Sequence, residues 1–163
     1  SDARLLMQNF WPGLLSLNLK PQAGLSWDLG DGNTLDQISA RIPDSRFILE
    51  VLKNHPFDRA LAHCYSSGIS FAEQLLGLNV LLSFSGNVTF KNSINQSAIQ
   101  NIALKDFVLE TDCPFLAPQP FRGKPNEPKY VKDIALFVSD LLDIEFEEIA
   151  KQTTNNAEVF FKI

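Results

Sequence analysis

The sequence predicts an α/β fold in which parallel strands alternate with helices. Three apolar segments have the length of strands, at 59–64, 79–84 and 107–112. The second is almost continuously apolar, which is typical of a sheet covered on both faces. Helical patterns separate the three segments, as right-handed crossover connections require. Three strands are too few to close a barrel, so we expect this chain to form part of a larger structure.

The composition indicates a globular protein with one core. The chain has 163 residues, of which 45% are hydrophobic and 20% are charged, and this is ordinary for a single domain. No run of 18 apolar residues and no secretory signal are present, so neither a membrane span nor export is expected. Cys64 and Cys113 are too few for a disulfide framework and favour a reducing compartment, the cytoplasm or alternatively the nucleus.

The net charge limits the mode of nucleic-acid binding. A formal charge of -5 argues against a protein that coats nucleic acid by bulk electrostatics. It does not exclude a nuclease, because a bound divalent metal can meet a phosphate locally.

The first part of the chain is predicted to be a helix followed by an insertion. Residues 1–16 carry an apolar stripe that Pro12-Gly13 should end. Residues 17–45 contain glycine, proline and aspartate at turn spacing, and we interpret them as a surface insertion with at most a short helix at 34–40. The aspartates of this insertion do not have the spacing of a calcium-binding loop.

The remaining helices are placed by periodicity and by start and stop signals. A capping box at Ser70–Glu73 predicts a helix that continues to about Leu76. The other predicted helices span 46–54, about 93–103, 127–142 and 146–161.

Two carboxylates follow the third predicted strand. Phe107–Leu109 is apolar, and Glu110 and Asp112 come directly after it, separated by one residue. The strand period of 2 places both on the same side, and Pro114 and Pro118 then end the strand. Parallel α/β proteins carry their chemistry at this end of their strands. The alternative is a strand that ends in a solvated acidic turn.

The other strands also end in polar groups, namely His63, Ser83 and Ser85. Because the ends of parallel strands share one edge, His63 and Asp112 can meet in space. Imidazole and carboxylate are ligands of Zn²⁺, and carboxylates also suit Mg²⁺ and Mn²⁺. A backbone carbonyl that satisfies His63 and a turn capped by Asp112 are the alternatives at this stage.

Several segments in register resemble the TatD family of metal-dependent deoxyribonucleases. They are His63–Ser66, Leu82–Gly86, Leu109–Pro114, Arg122–Pro128 and Thr153–Asn156. The resemblance implies that the chain is the C-terminal part of a (β/α)8 TIM barrel of the amidohydrolase type. It further implies one or two divalent metal ions (Mg, Zn or Mn) in the complete protein and DNA as the substrate of phosphodiester hydrolysis.

The resemblance also implies roles for individual residues. His63 and Asp112 would be metal ligands, and Asp112 would also act in catalysis by orienting or deprotonating the attacking water. Five further side chains would support the ligands or shape the substrate rim: Ser85, Glu110, Arg122, Asn126 and Glu127.

The sequence departs from the family pattern in its early motifs. His55 and His63 are its two histidines, so the family's His-x-His pair, its middle-strand Glu and its later His are absent. The chain opens with Ser1, and we expect processing or truncation, with the N-terminal half of the barrel upstream. On this interpretation residues 1–163 are a partial barrel domain with an insertion at 17–45, and the isolated chain has little or no nuclease activity.

Two further questions stay open from the sequence, the function of the chain and the role of its basic residues. The chain could be a non-catalytic remnant that pairs with another chain, or an esterase acting on aminoacyl-tRNA. The basic residues Arg122, Lys124, Lys129 and Lys132 suit either a DNA backbone or a solvated surface. Both cysteines are expected to be small buried hydrophobes rather than nucleophiles.

Overall fold

A computed structural model describes residues 17–19, 38–40, 45–55 and 57–163. The chain divides into two units, 1–56 and 57–163, and the described residues of the first form two short strands and a helix. Strand β1 (Leu17–Leu19) pairs antiparallel with β2 (Ile38–Ala40), and helix α1 spans Ser45–Asn54. The predicted helix at 46–54 is therefore confirmed, whereas the helix predicted at 1–16 lies outside the described residues.

The short helix predicted at 34–40 is wrong over its last three residues. Ile38–Ala40 is a strand, with Ile38 opposite Leu19 and Ala40 opposite Leu17. So short a segment forms few hydrogen bonds within a helix, whereas a partner strand satisfies its backbone groups at once.

The second unit contains the predicted parallel sheet. Its strands are β3 (Ala60–Ala62), β4 (Val80–Phe84) and β5 (Phe107–Leu109), in that spatial order and all parallel. Helices α2 (Ile69–Leu76), α3 (Gln96–Ile99), α4 (Val131–Leu142) and α5 (Phe146–Phe161) follow or separate them. In the described part of the chain, no helix is long and apolar enough to cross a membrane.

The side chains of the central strand β4 alternate between the two faces of the sheet. Leu82 and Phe84 are fully buried, and the Phe84 ring meets the ring of Phe107 edge-on at 5.7 Å. Burial of each such side chain contributes about 1.5–3 kcal/mol. Ser83 lies between them, so its side chain projects to the opposite face of the sheet.

Two predicted helix boundaries are wrong. Helix α2 begins at Ile69 with Gly68 as its N-cap, and Ser70 lies inside the helix rather than capping it. The helix predicted at 93–103 is reduced to Gln96–Ile99. The side chain of Asn95 donates to the carbonyl of Tyr65 at 2.9 Å, and such contacts compete with a regular helix.

Strands β3 and β5 end earlier than predicted, whereas β4 ends at Phe84 as predicted. β5 stops at Leu109, although the Glu110 N–H still donates to the carbonyl of Phe84 at 2.9 Å. Cys64 and Asp112 have left-handed backbone conformations, with φ of 49° and 57°, which a strand cannot continue. The final helix confirms the prediction over 146–161, whereas the predicted 127–142 helix opens with a 3₁₀ turn at Pro128–Tyr130.

Candidate functional site

His63, Glu110 and Asp112 meet at the carboxyl edge of the parallel sheet. The imidazole Nε2 lies 3.2 Å from Oε1 of Glu110 and 3.7 Å from Oδ1 of Asp112. The side chain of His63 is 62% exposed, while those of Glu110 and Asp112 are 18% and 29% exposed. The structure therefore brings together the imidazole and the carboxylate that the sequence predicted to converge, in a place that solvent can reach.

Glu110 joins the ends of all three strands. Its Oε1 accepts the main-chain N–H of Cys64 at 2.8 Å, just beyond β3. Its Oε2 accepts the hydroxyl of Ser83 on β4. Because both carboxylate oxygens have protein donors, Glu110 is held in one orientation beside His63 and suits a supporting role.

The backbone turns sharply where Asp112 leaves the sheet. A left-handed conformation costs most residues roughly 1–2 kcal/mol, and aspartate tolerates it better than most because its side chain bonds locally. The carbonyl of Asp112 accepts the N–H of Phe115 at 2.9 Å, which closes a turn. This turn, rather than a continued strand, directs the Asp112 carboxylate to His63.

Asn126 fastens that turn to the following loop. Its buried side chain donates through Nδ2 to the carbonyls of Thr111 and Phe115, both at 2.6 Å. Its Oδ1 accepts the N–H of Glu127 at 2.9 Å, and its own N–H donates to the carbonyl of Pro114 at 2.9 Å. Asn126 thus shapes the rim by holding the segment that carries Asp112.

Arg122 and Glu127 each contact another side chain, and neither contact involves His63 or Asp112. The Arg122 guanidinium stands 4.4 Å from the centroid of the Phe90 ring, within cation–π range. The Glu127 carboxylate lies 2.8 Å from Nζ of Lys129. This hydrogen bond lowers the pKa of Glu127 and raises the pKa of Lys129.

Ser85 lies beside a thiol rather than beside the imidazole. Its buried hydroxyl is 3.2 Å from Sγ of Cys64 and 3.2 Å from Oδ1 of Asn87. Burial raises the pKa of the Cys64 thiol, which suits an unreactive side chain. Cys64 is half-buried and Cys113, within the turn that begins at Asp112, is exposed, so the expectation that both cysteines are buried is met only in part for Cys64 and is wrong for Cys113.

Sequence reasoning missed two asparagines that support the loops around the site. Asn95 is fully buried, and its Nδ2 donates to Tyr65 O and, at 3.0 Å, to Oδ1 of Asn87. Asn87 in turn donates to the hydroxyl of Ser66 at 2.8 Å. Asparagines in loops are common, and nothing in their spacing distinguishes these two from solvated ones.

The side chains present fit part of a metal site. A neutral imidazole and a carboxylate are both ligands of Zn²⁺, and the carboxylate also suits Mg²⁺ or Mn²⁺. Within the described ranges, no group of three or more His, Cys, Asp or Glu side chains is arranged to hold a metal ion. His63 and Asp112 match the donor chemistry, and a complete site needs donors beyond these two.

Comparison with known proteins decides the family. The family described as TatD related DNase matches residues 44–162. This chain belongs to the TatD family. It is 44% identical over 104 residues to the uncharacterized metal-dependent hydrolase YabD of Bacillus subtilis, covering 63% of this chain and 41% of YabD. It is 40% identical over 102 residues to YcfH of Escherichia coli, which bears the same description, covering 62% of this chain and 38% of YcfH.

Solved structures of TatD proteins share the fold. YjjV, a TatD homologue from Escherichia coli, aligns with a TM-score of 0.69 and 26% identity, over 73% of this chain and 47% of YjjV. A TatD family hydrolase from Entamoeba histolytica aligns with a TM-score of 0.55 and 18% identity, over 61% and 41% of the two chains. The chain thus spans less than half the length of these relatives, and the prediction of part of a TatD-type barrel is confirmed.

Proposed function

We propose that this TatD chain supplies the carboxyl-terminal part of a metal-dependent hydrolase that cleaves phosphodiester bonds of DNA. The convergence of His63 and Asp112 at 3.7 Å carries the proposal, because it joins two metal-binding side chains from different strands. The names of YabD and YcfH as metal-dependent hydrolases, and the DNase description of the family, support it.

The residues present would act by holding and orienting. A bound divalent ion supplies Lewis acidity, which polarises a phosphoryl oxygen and lowers the pKa of water. His63 and Asp112 would hold this ion, and the Asp112 carboxylate would also accept a proton from an attacking water. Glu110 would steady His63, because its Oε1 lies 3.2 Å from the imidazole Nε2 and also accepts the Cys64 N–H.

Exposed basic residues on the rim loop support a polyanionic substrate. Arg122, Lys124 and Lys129 follow the turn of Asp112 and are exposed, as is Lys132 at the start of α4. Lysine and arginine side chains beside a cleavage site bind a phosphate backbone by charge and release its counterions.

The sheet edges favour a second proposal, that this chain pairs with further strands. In the described sheet, β3 and β5 each have one neighbouring strand, so each leaves backbone groups on its other side without a strand partner. Unpaired edges are templates for pairing. We therefore propose that an amino-terminal half of the barrel, or another chain, covers both edges. Hydrolysis of an aminoacyl-tRNA ester remains a further candidate for the same metal chemistry.

The test compares ligand and control variants in the full-length protein. His63→Ala and Asp112→Asn should each lower Mg²⁺-, Mn²⁺- or Zn²⁺-dependent cleavage of a single-stranded oligonucleotide by about 100-fold or more. The matched controls His55→Ala and Asp140→Asn, both at exposed positions, should retain full activity.

Metal content, measured by elemental analysis of the purified proteins, should fall in the two ligand variants and not in the controls. Undiminished cleavage by both ligand variants would refute the proposal. Cleavage of aminoacyl-tRNA but not of DNA would show that the proposed substrate is wrong, while the proposed metal site would stand.

A further inference from the structure

Phe115 presents an apolar ring to solvent beside the candidate metal ligands. The residue is 61% exposed and follows Asp112 by three positions. Its N–H donates to the carbonyl of Asp112 at 2.9 Å, and the ends of such a turn lie within about 7 Å of each other. An exposed phenylalanine forgoes the stabilisation that burial would give. Packing within this unit therefore does not account for an aromatic ring at this position.

The backbone beneath the ring is fixed on both sides. The carbonyl of Phe115 accepts a 2.6 Å hydrogen bond from the buried side chain of Asn126. The next carbonyl, of Leu116, packs so closely on Gly86 that a Cβ there would lie 1.9 Å from it. Little backbone freedom remains to be lost when a ligand meets the ring, which favours binding.

The loop beside the ring is basic. The N–H of Asn126 donates to the carbonyl of Pro114 at 2.9 Å, so the loop that carries Arg122 and Lys124 returns to the turn that carries Phe115. Both basic residues are exposed. The Arg122 guanidinium lies over the Phe90 ring, so the loop carries its charge together with an aromatic face. An exposed aromatic ring on a turn that is hydrogen-bonded to a basic loop matches a nucleotide, which combines an aromatic base with a charged phosphate.

We propose that Phe115 stacks on a nucleobase adjacent to the phosphodiester held at His63 and Asp112. This inference rests on the proposed function and deepens it, because it identifies what the site recognises beyond the phosphate. Stacking tolerates any sequence, since every base has a π-face. Phe115 is therefore a specificity-determining residue that favours substrates with an intact base over baseless phosphodiesters.

The experiment uses the full-length protein and two fluorescent single-stranded oligonucleotides of equal length, one intact and one abasic throughout. Binding is measured by fluorescence anisotropy with the metal removed, and the KM for cleavage is measured with Mg²⁺ or Mn²⁺ present. Phe115→Ala should weaken binding of the intact strand, and raise its KM, by about 5- to 150-fold. The same change should alter binding of the abasic strand by less than about 2-fold, because only the phosphates remain to be bound.

Two further variants separate stacking from general apolar contact. Phe115→Trp keeps an aromatic face and should bind the intact strand at least as tightly as the wild type. Phe115→Leu keeps an apolar side chain without that face and should resemble Phe115→Ala. Equal losses for intact and abasic strands, or a Trp variant as weak as the Ala variant, would overturn the proposal.

The wild type distinguishes failure of this inference from failure of the proposed function. If it cleaves intact and abasic strands with the same KM, Phe115 does not recognise a base, although DNA cleavage stands. If it hydrolyses a small phosphodiester but neither binds nor cleaves any oligonucleotide, the DNA substrate is wrong and the stacking role falls with it.

Discussion

Oε1 of Glu110 lies 3.2 Å from Nε2 of His63 while it accepts the N–H of Cys64 at 2.8 Å. Glu110 therefore fixes both the imidazole and the main chain that follows it. Loss of such a supporting group typically lowers metal affinity by about 10- to 100-fold. We expect Glu110→Ala to show a loss of this size for Mn²⁺ or Zn²⁺, measured by titration calorimetry on the full-length protein.

Glu110→Gln should lose less affinity than Glu110→Ala, because its amide oxygen can still accept the Cys64 N–H. Glu147→Ala, on the exposed surface of α5, is the matched control and should bind the metal as the wild type does. Unchanged affinity in Glu110→Ala would show that His63 is positioned by other groups.

Asn126 should contribute to stability as well as to the position of Asp112. Asn126→Ala removes hydrogen bonds from the carbonyls of Thr111 and Phe115. A buried polar group left without a partner costs about 1–3 kcal/mol. We therefore expect urea denaturation to show a decrease of that order in the free energy of unfolding. Asn101→Ala removes one exposed contact, to the carbonyl of Ser97, and should change stability by less than about 0.5 kcal/mol.

An Asn126→Asp variant tests whether the donated hydrogen bonds matter. It keeps the size and the Oδ1 acceptor but loses both N–H donors and brings a negative charge to two carbonyls. It should be at least as destabilised as Asn126→Ala. Wild-type stability in this variant would contradict the role of the Nδ2 contacts.

The sequence predicted the parallel sheet because apolar strands and helices alternate along the chain. It also predicted the meeting of His63 and Asp112, since parallel strands end at one edge. Strand alternation alone does not bring Asp112 to His63, because the strand stops at Leu109 and a left-handed turn completes the approach. Such a turn depends on contacts from Asn126, which is 14 positions away from Asp112 and is invisible to local pattern.

The capping box at Ser70 failed for a related reason. The pattern was present, but the chain enters α2 two residues earlier, with Gly68 as the N-cap. The hydroxyl of Tyr65 donates to the carbonyl of Gly68 at 2.7 Å, and this contact helps fix the entry. Short-range propensity gives way where a buried side chain from outside the pattern satisfies the backbone.

Gly86 should resist substitution because the Leu116 carbonyl occupies the space of a side chain. A Cβ at Gly86 would lie 1.9 Å from that oxygen, far inside contact distance. Gly86→Ala must displace the backbone that follows Phe115, and such overpacking typically lowers the free energy of unfolding by about 1–3 kcal/mol. Thermal unfolding of the full-length protein measures the loss.

Gly77→Ala is the matched control for Gly86→Ala. Gly77 has a helical backbone conformation, with φ of -60°, and its Cβ would lie 3.4 Å from the nearest atom, the Glu73 carbonyl oxygen. We expect Gly77→Ala to change the free energy of unfolding by less than about 1 kcal/mol. Equal stability of the two variants would show that the 86–116 contact relaxes without cost.

Tyr65 should make the protein less stable at high pH. Burial raises the pKa of Tyr65 from its ordinary value of 10.0 to about 12, and its hydroxyl donates to the carbonyl of Gly68. In the unfolded chain the phenol loses its proton near pH 10. Between about pH 10 and pH 12 the unfolded state therefore binds fewer protons than the folded state, so the free energy of unfolding falls as the pH rises.

The contribution of Tyr65 is fully present below about pH 10 and is lost as the pH passes through its folded pKa, a change of about 2–3 kcal/mol. Tyr65→Phe removes the phenol and with it this share of the pH dependence. Near neutral pH the variant should be about 1 kcal/mol less stable, because the Gly68 carbonyl loses its donor. That deficit should shrink or reverse towards pH 12, since ionisation of the phenol then stabilises the unfolded state of the wild type but not that of the variant. Urea unfolding curves of both proteins across this range measure the difference, and a constant deficit at every pH would show that Tyr65 ionises alike in the folded and unfolded chains.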